Sequence, residues 1–243
     1  GNTVTLSDGA RVDVSGDIGG GTALIGGNYQ GQGPERNTTT TTVAQNATIN
    51  ADAMTNGDGG KVVVWADDTT SFNGTISAKG GATNGNGGQV ETSGKNKLKV
   101  GDSARVSTTA VKGTAGNWLL DPANFTIAAS GGDMSGATLA ANLADGNVTI
   151  LSSNGTTEGN GDLNVNDAVT WSSGNTLTLS AYRNVNIDAD ITGTGGGNLV
   201  LRADNTGAGT AKLGTGHGTV NLNADISLTG GSGSGNSISI YYN

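Results

Sequence analysis

The sequence predicts an all-β protein: a right-handed single-stranded parallel β-helix, or solenoid, with one short helix packed on the coil. Three observations predict it: abundant glycine with little charge, short β-branched runs that alternate, and a two-strand unit that recurs along the chain. Gly supplies 44 of the 243 residues, aromatic residues are 4% and charged residues 13%, the last about half the share usual in soluble domains. Val, Ile, Thr and Leu fall in runs such as Val62-Val63-Val64-Trp65 and Leu177-Thr178-Leu179, which read as strands between glycine-rich turns. A disordered chain would carry few β-branched residues and a high net charge.

The recurring unit is a short strand of the form Ile-x-Ala-x, a glycine-rich turn and an alternating strand. Val12-Asp13-Val14-Ser15 is followed by Gly20-Gly21-Thr22-Ala23-Leu24-Ile25, and Ile49-Asn50-Ala51-Asp52 by Gly59-Gly60-Lys61-Val62-Val63-Val64. Further copies begin at Ile76-Ser77-Ala78-Lys79, Ile187-Asp188-Ala189-Asp190 and Leu222-Asn223-Ala224-Asp225. Unequal spacing between copies fits a solenoid whose turns bulge outward. Each strand would pair with its equivalent one turn away, inward Val, Ile, Leu and Ala forming a thin core and alternate polar residues facing water. At roughly 20–25 residues per turn and about 4.8 Å between strands, some ~10 turns and a rod near ~50 Å are expected.

The pattern breaks between Val111 and Trp171. Asn117-Trp118-Leu119-Leu120-Asp121-Pro122-Ala123-Asn124-Phe125 gathers large apolar groups, and residues 135–144 carry apolar residues at helical spacing with Gly146 beyond, the place of a helix stop. A short helix is expected there. Residues 1–110 read as β-helix coils, 111–171 as an irregular segment with that helix, and 172–243 as coils again, one continuous solenoid. The chain begins inside a strand pattern, Gly1-Asn2-Thr3-Val4-Thr5-Leu6, and is read as an internal piece of a longer protein.

Composition also narrows function. With no cysteine there is neither a disulfide framework nor a thiolate metal site. A net charge of −8 and scattered basic residues argue against nucleic acid, whose phosphates require clustered Lys and Arg. No apolar run reaches the length of a membrane span. Asp67, Asp68, Asp188, Asp190 and Asp225 are weighed as a general acid–base pair about 5–10 Å apart; alternation instead places Asp188 and Asp190 on the solvent side, since Ile187, Ala189 and Ile191 take the inward positions. His217, the only histidine, lies between glycines and has no second imidazole or thiol to share a transition metal.

Calcium is the more plausible ion at Gly57-Asp58-Gly59-Gly60 and Gly159-Asn160-Gly161-Asp162, yet these are isolated and read as turns; no cofactor is expected. The run Thr38-Thr39-Thr40-Thr41-Thr42 is read as an outward loop and not as an ice-binding face, which needs one face repeated over many turns. Trp118, Trp171, Phe125 and Tyr182 would serve either as a sugar-stacking platform or as packing for the helix, and packing is favoured. Sequons stand at Asn37, Asn46, Asn73, Asn124, Asn147 and Asn154, possible glycosylation sites. Tyr241 and Tyr242 are expected to alternate, one inward and one outward.

The motif order carries a resemblance. Asp58-Gly59-Gly60-Lys61-Val62-Val63-Val64-Trp65-Ala66-Asp67, Gly85-Asn86-Gly87-Gly88-Gln89-Val90-Glu91-Thr92-Ser93-Gly94 and Asn117-Trp118-Leu119-Leu120-Asp121-Pro122, followed by a short helix, Asn147-Val148-Thr149-Ile150, Ala168-Val169-Thr170-Trp171 and Leu177-Thr178-Leu179-Ser180-Ala181, resemble the filamentous-haemagglutinin-type exoproteins of two-partner secretion. The resemblance covers about Gly57 to Ala181. It implies export through an outer-membrane partner, an extracellular β-helical shaft, and adhesion, aggregation or biofilm formation. The family's amino-terminal secretion domain with its Asn-Pro-Asn signal is not found in this sequence.

The reading is therefore a structural and adhesive shaft of a secreted bacterial surface protein, without catalysis, contacting host or bacterial glycans or matrix. Two alternatives stay open: a polysaccharide-binding or polysaccharide-cleaving β-helix, and a self-assembling extracellular filament subunit.

Overall fold

In the computed structural model, which describes residues 2–153, 161–205, 218–230 and 236–242, the chain is a parallel β-solenoid with one short helix. Its longest sheet stacks eight strands: Thr22–Ile25, Lys61–Ala66, Gln89–Gly94, Asn117–Leu120, Asn147–Leu151, Leu177–Ser180, Leu199–Arg202 and Ile238–Tyr241. One column of inward side chains runs the length of this sheet, Ala23–Val62–Val90–Trp118–Val148–Leu177–Leu199–Ile238, every step in register. All but Ala23 and Ile238 are at most 3% exposed. Burial of that stripe, together with the inward residues of the other walls, supplies the apolar gain of the fold.

Among the described residues the sheet counts eight turns, against the ten expected. Register partners lie from 22 residues apart, as for Asn164 and Asn186, to 39 apart, as for Leu199 and Ile238; long corner loops lengthen many turns beyond the assumed repeat. Eight strands at about 4.8 Å spacing give a stack about 34 Å long.

The remaining walls change halfway. In the first half, Thr3–Leu6, Thr40–Val43, Thr69–Phe72 and Lys97–Val100 form one sheet, and Arg11–Asp13, Thr48–Asn50, Thr75–Ser77 and Arg105–Ser107 a second. Val12, Ile49, Ile76 and Val106 stack inward on the second. In the second half, Phe125–Ile127, Leu163–Val165, Val185–Ile187 and Val220–Leu222 make one wall, and Val169–Trp171, Ile191–Gly193 and Ile226–Leu228 another. The five sequence repeats therefore fall into two spatial sets: Ile187 and Leu222 stack on each other, in a wall that does not contain Ile49.

The helix over Gly136–Leu143 sits where the walls change, within the expected segment 135–144. Ser135 caps it, its hydroxyl accepting Thr138 N–H at 3.2 Å, and Asp167 accepts Gly136 N–H at 2.7 Å. Leu139 and Leu143 are fully buried. The helix is set into the wall itself: Asn142 bonds the edge of Arg105–Ser107 on one side, and the last helical carbonyl, Leu143, accepts from Ser173 and Asn175 on the other.

Two local expectations are corrected. Thr40–Val43 is a strand, not an outward loop, with Thr38 and Thr41 buried and bonded to each other and to the Trp65 carbonyl; the solenoid admits threonine inward because that carbonyl satisfies the hydroxyls. Tyr241 and Tyr242 are both exposed, along with Ile238 and Ile240, because no further described strand stacks on Ile238–Tyr241. His217, Asn154 and Gly159-Asn160 lie outside the described residues.

Candidate functional site

Two features of the outer surface can carry function. The first is a face of hydroxyls on the sheet built from Thr3–Leu6, Thr40–Val43, Thr69–Phe72 and Lys97–Val100. Strand alternation turns Val4, Leu6, Val43, Phe72, Leu98 and Val100 inward and leaves two outward columns, Thr3–Thr40–Thr69–Lys97 and Thr5–Thr42–Ser71–Lys99. Stacking sets neighbours about 4.8 Å apart along a column and about 6.7 Å apart across it. The threonine run thus contributes to one face repeated over three turns, the arrangement that the sequence alone did not reveal. Lys99 closes its column by pairing with Asp133 at 2.7 Å.

The second feature is a pair of buried carboxylates beneath a loop. On the outer face of the long sheet, Glu91 stands between Val63 and Leu119 in register, with Ser93 and Trp65 in the adjoining column. Residues 26–37 cross this face as a strap. Gly27 and Gly31 lie flat on Trp65: a Cβ on Gly31, whose φ is +66°, would come within 2.5 Å of the indole, and one on Gly27 within 2.7 Å. Trp65 Nε1 and Asn37 Nδ2 both donate to Asp67 Oδ1, at 3.1 and 2.9 Å.

Gln30 is the clasp. Held at φ 51°, ψ 32°, a left-handed conformation that costs a non-glycine residue about 1 kcal/mol or more, it points its backbone N–H at both Glu91 oxygens, 3.2 and 3.0 Å away, and its side-chain Nε2 at Asp121 Oδ2, 2.9 Å away. Glu91 is 1% and Asp121 7% exposed. Asp121 Oδ1 is buried with no partner. Burial pushes Glu91 up to about 7, with Gln30 and Ser93 hydrogen bonds and Lys61 pulling back and the Asp121 charge adding to the rise. Burial likewise pushes Asp121 up to about 6, against the Gln30 bond. Tyr29 rests under Lys61, 4.8 Å from ring centre to Nζ. A crevice of about 20 Å³ between Tyr29, Lys61, Gln89 and Asn117 reaches Glu91, room for one water.

The site residues expected from sequence lie elsewhere. Trp118 is 1% exposed, packed edge-on to Phe72 at 6.2 Å with its Nε1 donating to Thr92 at 2.9 Å. Trp171 is 3% exposed and donates to the Asn175 carbonyl, and Tyr182 packs beneath Gly161. Trp118 and Trp171 are thus buried inside the coil, and Tyr182 is half-buried. Of the sequons, Asn37, Asn73, Asn124 and Asn147 use their side chains in hydrogen bonds to neighbouring turns, whereas Asn46 is exposed. Asp188 and Asp190 are exposed, as alternation required. Asp58 accepts Asn86 N–H at 2.7 Å from the next rung, and Asp162 is paired with Arg183.

Among the described residues no group of three or more His, Cys, Asp or Glu is placed to hold a metal ion, and no helix is long and apolar enough to cross a membrane. A scan against protein-family models and a search of curated proteins each return no match to this chain. The class defined by fold and site is a parallel β-solenoid with a patterned outer surface.

Proposed function

We propose that this chain is part of a structural and adhesive shaft of a large secreted bacterial surface exoprotein, exported through an outer-membrane partner and contacting surface glycans or matrix polysaccharide outside the cell. One observation carries the reading: the outward columns Thr3–Thr40–Thr69 and Thr5–Thr42–Ser71, a rigid hydroxyl face repeated from turn to turn. A repeating polyhydroxyl ligand can engage several rungs at once, so that contacts weak singly become strong together. The inward stripe supports the shaft, because each turn buries its apolar residues only against its neighbours and stability grows with stacking.

The buried Glu91 and Asp121 are the feature that favours a second reading, cleavage of a polysaccharide. Gln30 occupies both carboxylates, however, and alternation has otherwise spread the acids over the outside.

The test is a glycan and matrix-polysaccharide binding screen on the purified chain, with rod dimensions taken from solution scattering. Thr5→Val with Thr42→Val, which keeps shape and removes two hydroxyls, is expected to lower avidity about tenfold. Unchanged binding would remove the hydroxyl face from the reading, absence of any glycan binding would remove adhesion, and release of reducing sugar would favour the enzyme.

A further inference from the structure

We propose that residues 26–37 are a proton-gated strap, closed over Trp65 while Glu91 and Asp121 hold protons under Gln30 and released when both carboxylates are ionised. Four structural facts converge on it. The strap reaches the carboxylates through a single residue, Gln30, whose backbone and side chain each take one. That residue is in the left-handed region, so the clasp stores strain that opening relieves. The carboxylates are shut off from solvent by Val63 and Leu119 and by the strap itself, and Asp121 Oδ1 has no donor to stabilise its negative charge. The crevice beside Tyr29 and Lys61 leaves a path for one water, and so for a proton, to Glu91.

The direction follows from solvation. In the closed strap two ionised carboxylates would share a dry site and repel each other; open, both are hydrated. Closing therefore binds protons. The other charged groups facing the site do not reverse this: Lys61 favours the Glu91 anion but loses to burial, Glu35 on the strap is bonded to Asn28 at 2.8 Å, Asp67 is held by Trp65 and Asn37, and Arg36 is exposed at the strap's far end. Tyr29 is pushed up by burial and by both acids, and stays neutral. With Glu91 raised from 4.5 to about 7 and Asp121 from 3.8 to about 6, the proton contribution to closure is fully present only below the lower open-state value of 3.8 and is lost as pH rises through about 6 and about 7.

What opening uncovers is the indole of Trp65 with Val63 and Leu119, an apolar strip hidden at acid pH and presented at neutral pH. The clasp is separate from the hydroxyl face, so its behaviour does not depend on the adhesive reading.

Hydrogen exchange on the intact chain, corrected for the intrinsic pH dependence of exchange, tests it. Between pH 5 and pH 8 residues 26–37 are expected to lose at least about tenfold in protection while the inward strands stay unchanged. Glu91→Gln with Asp121→Asn should keep the strap protected at both pH values. Equal protection of the wild type at pH 5 and 8, or the same loss in the neutral variant, overturns the proposal. Should that variant fail to fold, carbon NMR of the Glu91 carboxyl in the wild type decides: a midpoint near 7 that coincides with strap opening supports it, and a midpoint in the ordinary carboxylate range overturns it.

Discussion

The side chain of Asn142 stands where a strand would otherwise continue the wall next to Val106: its Oδ1 accepts Val106 N–H at 2.7 Å while its Nδ2 donates to the Ala104 carbonyl at 3.2 Å and to the Thr138 carbonyl at 2.8 Å. One amide thus closes a sheet edge with the donor and acceptor that a parallel strand supplies. Asn142 is 1% exposed, so no water replaces it. Asn142→Leu, similar in size but apolar, should leave the buried Val106 N–H unpaired, while the Ala104 carbonyl keeps its 2.7 Å bond from Arg105 Nη1, and lower stability by about 1–3 kcal/mol. Urea unfolding measures this as a lower midpoint at an unchanged slope. A midpoint shift equivalent to under about 0.5 kcal/mol would show that the wall closes without the amide.

Trp118 offers a way to separate packing from recognition. It sits in the inward column between Val90 and Val148, so truncation to Ala should cost about 3–5 kcal/mol through the cavity it leaves. Trp118→Phe keeps most of the volume and the edge contact with Phe72, but orphans the buried Thr92 hydroxyl, for a loss of about 1–2 kcal/mol. Glycan binding by the folded Trp118→Phe chain should match the wild type. Loss of binding at preserved stability would return this ring to the role of a sugar platform.

Alternation made the inward residues legible, because a strand with one face on the core shows its pleat directly in the order of side chains. Which strands stack on which was not legible. The distance between register partners ranges from 22 to 39 residues, and Ile49-Asn50-Ala51 looks like Ile187-Asp188-Ala189 while the two lie in different walls. The strapped acids were hidden for a related reason: Glu91 occupies an outward position in Gln89-Val90-Glu91, and its burial comes from residues 26–37, far away in sequence. A signal was nonetheless present. Val62-Val63-Val64 and Trp118-Leu119-Leu120 break alternation with consecutive apolar residues, the mark of a strand covered on both faces, and both flank Glu91 in register.

Close approach of successive turns depends on glycine at one corner. A Cβ on Gly60 would lie 2.0 Å from the Gly21 carbonyl oxygen, on Gly88 2.1 Å from that of Gly60, and on Gly116 2.0 Å from that of Gly88. The obstacle in each case is backbone, which cannot rotate aside as a side chain would. Gly88→Ala must therefore pry two turns apart in the middle of the stack, and a loss on the order of 3 kcal/mol is expected by thermal or urea unfolding. The same substitution at Gly9, where a Cβ meets nothing within 4 Å although φ is +76°, should cost only the backbone strain, about 1 kcal/mol. Equal effects at the two positions would show that close stacking does not set the requirement for Gly88.

The pair Asp162–Arg183 should respond to pH in the sense opposite to the strap. Arg183 grips Asp162 with two nitrogens, Nε at 2.7 Å and the second through Nη2, and Asn184 N–H adds a bond at 3.1 Å. Burial pushes the Asp162 carboxyl up, but the Arg183 hydrogen bonds, the Asn184 bond and the guanidinium charge outweigh it, and the group lies below the usual carboxylate range. A depressed value in the folded chain means that the stabilisation is present above the ordinary Asp range and disappears as pH falls through the folded value. Because Arg183 is partly exposed, its contribution at neutral pH is modest, about 0.5–1 kcal/mol. Arg183→Gln should lower the urea midpoint at pH 6, and the difference from wild type should shrink toward zero as the pH is taken down to 2. A difference that persists undiminished at pH 2 would assign the effect to packing of the arginine stem on Asp162 and not to the charge pair.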